Sequence, residues 1–389
     1  MQHVDTGHDE HDELRGRIRS FVAGYGNEYF AKCARAGEYP EQFVDDLTKA
    51  GWLAALIPEQ YGGQGLGLAE ASVIMEEINR GGGNSGDCHG QMYNMGTLLR
   101  HGSDAQKEQY LPKIAAGELR LQTMAVTEPE TGTETTKTRT TAEKKGDRYV
   151  INGEKVWIGR IQYSDLMILL ARTTPVDQVE KRSRGLSIFL VDLHHALQNG
   201  MTATRIPNMV DAVTNEVTFD NLEIPADALI GEEDHGLKYI FSGLNAERTL
   251  IAAECIGDGY WFLDHAAERA REREVFDRAI GANQGIQFPM AEAYMSVRAA
   301  DLMRYQACAL FDDNADCGAE ANMAKHLAAK ASWEAANMCV QTYGGYAFDE
   351  RYHVERKFRQ TRLYQVAPIS TNLILSYVSQ NLLGLPRSF

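Results

Sequence analysis

Apolar residues along the first third of the chain return at helical spacing. Leu14, Ile18 and Phe21 share one helix face, and Phe43, Leu47 and Trp52 approximate another. Connections are short, and Gly81-Gly82-Gly83-Asn84-Ser85-Gly86 interrupts the pattern as a loop. From about residue 121 the pattern changes to strands. Leu186 to Val191 and Val217-Thr218-Phe219 carry the β-branched and aromatic residues that strands prefer. Leu166 to Ala171 is a short apolar run that periodicity cannot separate from buried helix. Asn152-Gly153 reads as a two-residue hairpin turn, with Tyr149-Val150-Ile151 before it and Val156-Trp157-Ile158 after it. From about residue 236 helical stretches return: Leu237 to Arg271 has few breakers and Asn322 to Val340 is rich in alanine. The order is α–β–α, with regions expected at 1–120, 121–232 and 233–389 and no internal repeat.

Size and charge narrow the class. A chain of 389 residues exceeds one ordinary core and calls for two or three structural units. A formal charge of -15 argues against nucleic acid as a partner, while leaving room for a local basic patch that binds a small anion. No apolar run reaches the ~18 residues that span a bilayer, so no membrane insertion is expected. The start of the chain has neither a basic nor an apolar leader, and its histidines His3, His8 and His11 sit in an acidic run that reads as solvated tail rather than metal site. Cys33, Cys88, Cys255, Cys308, Cys317 and Cys339 form no C-x-x-C pair and no zinc spacing, which predicts free thiols, a reducing, cytoplasmic setting and no metal.

One carboxylate stands out. On a helix, the neighbours of Glu247 at three and four residues include Leu244, Leu250 and Ile251, so it falls on an apolar stripe that Arg248 does not share. A desolvated carboxylate has a raised pKa and is a better base near neutral pH. The same position also suits a half-buried glutamate paired with a distant arginine. Glu254, two turns on, reads as structural. Arg271 and Arg273 suit phosphate, though in this charged run an exposed salt-bridged face is equally expected. Gly344-Gly345 permits close backbone approach or a helix-to-turn junction, and Trp157 is a cofactor wall or ordinary core. His101, His194 and His195 look like loop or surface residues.

Several motifs, in order, cover nearly the whole chain: Gly51-Trp52-Leu53 with Pro58 to Gly65; Gly102-Ser103 through Gln109-Tyr110-Leu111-Pro112; Thr127-Glu128-Pro129 with Thr131-Gly132-Thr133; Asn152-Gly153 through Trp157-Ile158; Arg273 with Phe276; Gln341 through Tyr346; and Arg359 through Gln365. The set resembles the acyl-CoA dehydrogenases. The resemblance implies an α+β fold with an all-α N-terminal domain, a central β-barrel domain and a C-terminal four-helix bundle. It implies FAD held by Met124, Val126, Thr127, Gly132, Thr133, Trp157, Ile158, Arg273, Phe276, Gln284, Gln341, Gly344, Gly345, Ser370 and Asn372. Thr133, Leu244, Asn245, Arg248 and Ala367 would meet the substrate. In the implied reaction Glu247 takes the α-proton of an acyl-CoA thioester and flavin N5 takes the β-hydride, giving the trans-2-enoyl-CoA. An electron-transfer flavoprotein would receive the electrons, and a homotetramer would share each FAD between neighbours. One branch of the family, that of isovaleryl-CoA and long-chain dehydrogenases, carries its base at the Glu247 position. The commoner branch carries it where this chain has Pro368, at a position whose backbone N–H also polarises the thioester carbonyl; proline has none. Gly159 and Gln360 also depart from the family pattern. The same fold accommodates a carrier-protein thioester substrate, a non-oxidative elimination or desulfination, or a catalytically inactive binding protein.

Overall fold

The computed structural model describes residues 11–387; His3 and His8 lie outside them. Six helices come first: α1 (Asp12–Ala23), α2 (Gly26–Ala36), α3 (Glu41–Lys49), α4 (Leu68–Arg80), α5 (His89–His101) and α6 (Asp104–Ala115). The Gly102-Ser103 motif starts α6 with a reciprocal cap: Gln106 N–H donates to Ser103 Oγ (3.1 Å) and Ser103 N–H to Gln106 Oε1 (3.0 Å). Gln106 Nε2 then reaches the Asp227 and Leu229 carbonyls, tying this helix to the strand region.

The strands are β1 (Thr123–Ala125), β2 (Thr141–Lys145), β3 (Arg148–Gly159), β4 (Leu166–Arg172), β5 (Leu186–Asp192), β6 (Met201–Arg205), β7 (Thr214–Pro225) and β8 (Leu229–Ile230), with α7 (Leu193–Gln198) after β5. The pairing runs β6-β7-β3-β2-β4-β5-β8, with β1 beside β4. Its two halves meet at a single pair, Thr141 with Arg172, and curl around a core that includes Tyr149, Ile151, Met167, Leu169, Phe189 and Phe219. The opposite faces of β4 and β5, Ile168 and Ile188 among them, pack on the helical core. Every residue of β4 is buried, which is why its apolar run shows no alternation.

Asn152-Gly153 is not the hairpin turn expected from the sequence. Lys145 pairs with Arg148, so Gly146-Asp147 makes the turn and β3 runs unbroken through residue 153. Gly153 takes φ 147° at a register shift against β7, so the permissive pair serves a β-bulge. A second shift falls between Lys155 and Ile158, where Trp157 takes φ 63° and turns outward.

The last region holds α8 (Gly236–Glu272), a hairpin of β9 (Glu274–Val275) and β10 (Arg278–Ala279), then α9 (Gln284–Asp312), α10 (Gly318–Tyr343), α11 (Val354–Arg362) and α12 (Thr371–Tyr377). The alanines of α10, from Ala321 to Ala336, let it lie close to α8 and α9. Buried charges knit the first and last regions. Arg15 of α1 forks onto Glu76 of α4 (2.7 and 2.9 Å), and Arg304 of α9 shares the same carboxylate (3.0 Å). Lys357 of α11 pairs with Asp258 of α8 (2.5 Å) and donates to the Gly83 carbonyl (2.9 Å). Among the described residues no helix is long and apolar enough to cross a membrane, no cluster could hold a metal ion, and the six cysteines are free thiols.

Candidate active site and cofactor cleft

The end of α8, the hairpin after it and the end of α10 enclose a cleft of about 840 Å³. Phe276 and Asp277 make the hairpin turn, both with positive φ, which puts Phe276 at its tip, 94% exposed. Arg273 stands at the base of the hairpin, where its carbonyl accepts from Ile280 N–H (2.8 Å). The cleft brings together Arg273, Phe276, Gln341, Gly344 and Gly345, named from the sequence at positions far apart in the chain. Gln284 opens α9 beside Asn283 but does not line the cleft, and neither does Arg271. Arg269, one turn before Arg273, does line it; its guanidinium lies 4.8 Å from the Tyr346 ring centroid. Three arginines (Arg269, Arg273 and Arg278) with aromatic rings suit a pyrophosphate and a flat heterocycle.

A separate surface forms where β1 runs out into the Thr127-Glu128-Pro129 loop. Val156 N–H donates to the Thr127 carbonyl (2.9 Å), which holds this loop against β3. Lys155, fully buried, donates to the Val126 carbonyl (2.9 Å) and the Glu128 carboxylate (3.0 Å), and that carboxylate also accepts from Arg139 and Thr140 N–H. Burial pulls the Lys155 ammonium down to about 8, while Lys155 and the backbone donors keep Glu128 below the usual carboxylate range despite its own burial. The clasp presents Met124, Val126 and Thr127 half-buried and the Trp157 indole 60% exposed, with Ile158 behind it. Gly132 and Thr133 lie exposed further along the loop. An open indole face beside a polar loop, and a separate cationic cleft with aromatic rings, are each of a kind that suits part of FAD.

Glu247 lies on α8 and is only 7% exposed; its Oε2 has no hydrogen-bond partner. Burial pushes its carboxyl up to about 7, against the pull of His89, Arg248 and Arg160. It has no ion-pair partner at salt-bridge distance among the described residues, so the paired-glutamate alternative is not what forms. Arg248 is also buried, because α8 here is enclosed on all sides rather than along one stripe; its Nη1 donates to Asn245 Oδ1 (2.9 Å). Leu244 is half-buried one turn before Glu247.

Sequence reasoning missed the groups around this carboxylate. Glu254 accepts from Tyr364 OH (2.9 Å) and pairs with His89 Nδ1 (2.5 Å). Lys325 of α10 is held down to about 8 by burial, faces Glu247, and donates to the Tyr364 and Ile369 carbonyls (2.6 and 2.8 Å). Those bonds fix the segment that carries Ala367, Pro368 and Ser370, the last capping α12 through Leu373 N–H (3.4 Å), with Asn372 exposed just beyond. Nothing in the spacing ties residues 89, 160, 325 and 364 together. The loop before His89 was legible as a loop but not as a neighbour of α8. His101 was read as surface, yet it ends α5 stacked on Tyr239 and bonded to Ser242 Oγ (2.7 Å). His194 and His195 are exposed.

The family profiles described as acyl-CoA dehydrogenase N-terminal, middle and C-terminal domain match residues 8–118, 123–222 and 234–382. The chain belongs to the acyl-CoA dehydrogenases, FAD-dependent oxidoreductases with this three-region fold. It is 36% identical over 388 residues to the acyl-CoA dehydrogenase FadE12 of Mycobacterium tuberculosis, covering 98% of each chain. It is 33% identical to an acyl-CoA dehydrogenase of Bacillus subtilis over 94% of this chain and 97% of that one. The structure of a glutaryl-coenzyme A dehydrogenase in complex with glutaryl-CoA superimposes with a TM-score of 0.90 at 28% identity, covering 100% of this chain and 98% of that chain.

Proposed function

We propose that the protein oxidises an acyl thioester between its α- and β-carbons, with Glu247 as the base. The observation that carries this reading is a buried carboxylate with a free oxygen, poised near neutrality, on the helix whose far end opens the cofactor cleft. Bound FAD supplies the two-electron acceptor for the β-hydride. Arg269 and Arg273 would hold its pyrophosphate, and Trp157 with the Thr127 loop its ring system. Glu247 Oε2 accepts the α-proton, and the nearby guanidinium groups of Arg248 and Arg160 stabilise the carboxylate before it does so. Asn245 and Arg248 stand one turn apart on α8 beside Glu247, where the thioester would lie. Pro368 contributes no N–H, so carbonyl polarisation falls to other donors. The substrate class is an acyl-CoA, the acceptor an electron-transfer flavoprotein, and the assembly a homotetramer. In support of the assembly, Phe288, Met295 and Leu302 of α9 form an exposed apolar row at seven-residue spacing. The test is anaerobic mixing of the yellow holoprotein with a panel of acyl-CoA thioesters. Bleaching of the flavin by at least one of them is expected; a protein that takes up no FAD, or whose flavin no thioester reduces, would overturn the reading.

A further inference from the structure

The wall facing Glu247 is more polar than an alkyl chain requires. Arg160 is the first residue after β3 and turns its side chain toward the helices with a left-handed backbone (φ 62°). Its Nη1 donates to the Gly86 carbonyl, and its Nε and Nη2 to the Gln122 carbonyl (3.3 and 3.2 Å). These partners are neutral, and no carboxylate of the described residues stands at ion-pair distance. Asp87, which also feels the guanidinium, is pushed up to about 7 by burial. The Tyr93 hydroxyl lies against the guanidinium and faces Glu247.

This placement is built into α5. A Cβ on Gly90 would sit 2.4 Å from the Gln122 carbonyl oxygen and 2.8 Å from Arg160 Nη2, so glycine there is what admits the guanidinium. His89, Tyr93 and Thr97 follow at four-residue spacing on the face turned to α8. His89 meets Glu254 there, and Thr97 Oγ1 packs beside Gly243, buried and without a partner. A cation, a phenol and an unpartnered hydroxyl stand together on and beside the face of α5 that turns to α8. A guanidinium carries five N–H donors and accepts nothing; this one has only neutral hydrogen-bond partners and no ion pair, and its charge acts on Glu247 only at longer range. A plain alkyl group would leave the guanidinium without an ion pair; an acyl group with its own anionic oxygens would supply one.

We propose that Arg160 and Tyr93 form a receptor for a carboxylate at the far end of the acyl group, so that the preferred substrate is a thioester of a short dicarboxylic acid. This rests on the acyl-thioester reading of the site and narrows its substrate class. Charge-assisted hydrogen bonds of this kind are worth about tenfold or more in affinity.

Calorimetric titration of the holoprotein with succinyl-CoA and glutaryl-CoA, against butyryl-CoA and hexanoyl-CoA, measures the preference directly. At least one diacid thioester should bind about tenfold or more tightly than the alkyl thioester of similar length. Arg160→Met should erase that ratio, Arg160→Lys should retain part of it, and Tyr93→Phe should reduce it severalfold. Flavin content and melting temperature report whether each variant is folded. The wild-type ratio decides the matter even if Arg160→Met does not fold: equal or tighter alkyl binding overturns the proposal, as does an unchanged ratio in a folded Arg160→Met. Tight diacid binding without flavin bleaching by any thioester of the panel would sink the dehydrogenase reading and leave the receptor standing.

Discussion

At the scale of single residues, the proposed chemistry turns on how Glu247 is kept available. A carboxylate on the surface would be ionised at neutral pH but weakly basic; burial raises its proton affinity while His89, Arg248 and Arg160 limit the rise. Glu247→Gln fills the same space and should keep fold and FAD. Flavin reduction under anaerobic single turnover should fall by roughly two to four powers of ten. Glu254→Gln, the control, should lose much less, since Glu254 already serves His89 and Tyr364. Near-wild-type reduction in Glu247→Gln would move the base elsewhere. The base acts ionised, and the ionised fraction grows with pH, so kcat/KM should climb through about pH 7 and level above it. A profile flat from mildly acidic to mildly alkaline pH would contradict that assignment. The position of Glu247 among Leu244, Leu250 and Ile251 made its burial legible in the sequence. Its surroundings were not, because His89, Arg160 and Lys325 arrive from three other segments and leave no periodic trace.

At the scale of elements, the strands behaved as patterned except where two-sided burial or a bulge intervened. Alternation identifies a strand only when one face is wet, and β4 has none. Asn152-Gly153 marked a real backbone singularity but not its type, since a bulge and a turn both need a residue that tolerates positive φ. The worth of Lys155 could not be read either, because its partner Glu128 lies in an irregular loop. Removing one member of a buried pair strands the other, so Lys155→Met should cost about 3 kcal/mol or more in urea unfolding of the apoprotein. A loss below about 1 kcal/mol would show that the clasp is not what orders the Thr127 loop. At the other end of the cofactor, Arg273→Ala should weaken FAD retention on dilution far more than it alters reduction of the flavin that stays bound. Unchanged retention would take Arg273 out of the site. Arg269 was hidden in the sequence because a charged run at a helix end looks the same whether it faces solvent or a cleft.

At the scale of the whole molecule, the α–β–α order was plain from the change in period, while the packing between its ends was not. The exposed row on α9 is the surface that best fits a second copy. Met295→Asp combined with Leu302→Asp should shift the light-scattering mass in size-exclusion chromatography to a smaller species. A doubly substituted protein that keeps the parent mass would exclude this face as the contact. The ion network of Arg15, Glu76 and Arg304, and that of Asn79, Asp258 and Lys357, have a consequence for how the chain is made. Asn79 and Asp258 are separated by 179 residues, and Ser72 and Arg304, also hydrogen-bonded, by 232. At about 5–20 residues per second, a ribosome needs roughly 10–45 seconds to deliver the second partner after the first. For that interval Ser72 and Asn79 of α4 face partners that do not yet exist and Glu76 has Arg15 but not Arg304, and the strands emerge from a ribosome that has supplied half of a helical body and not the other half.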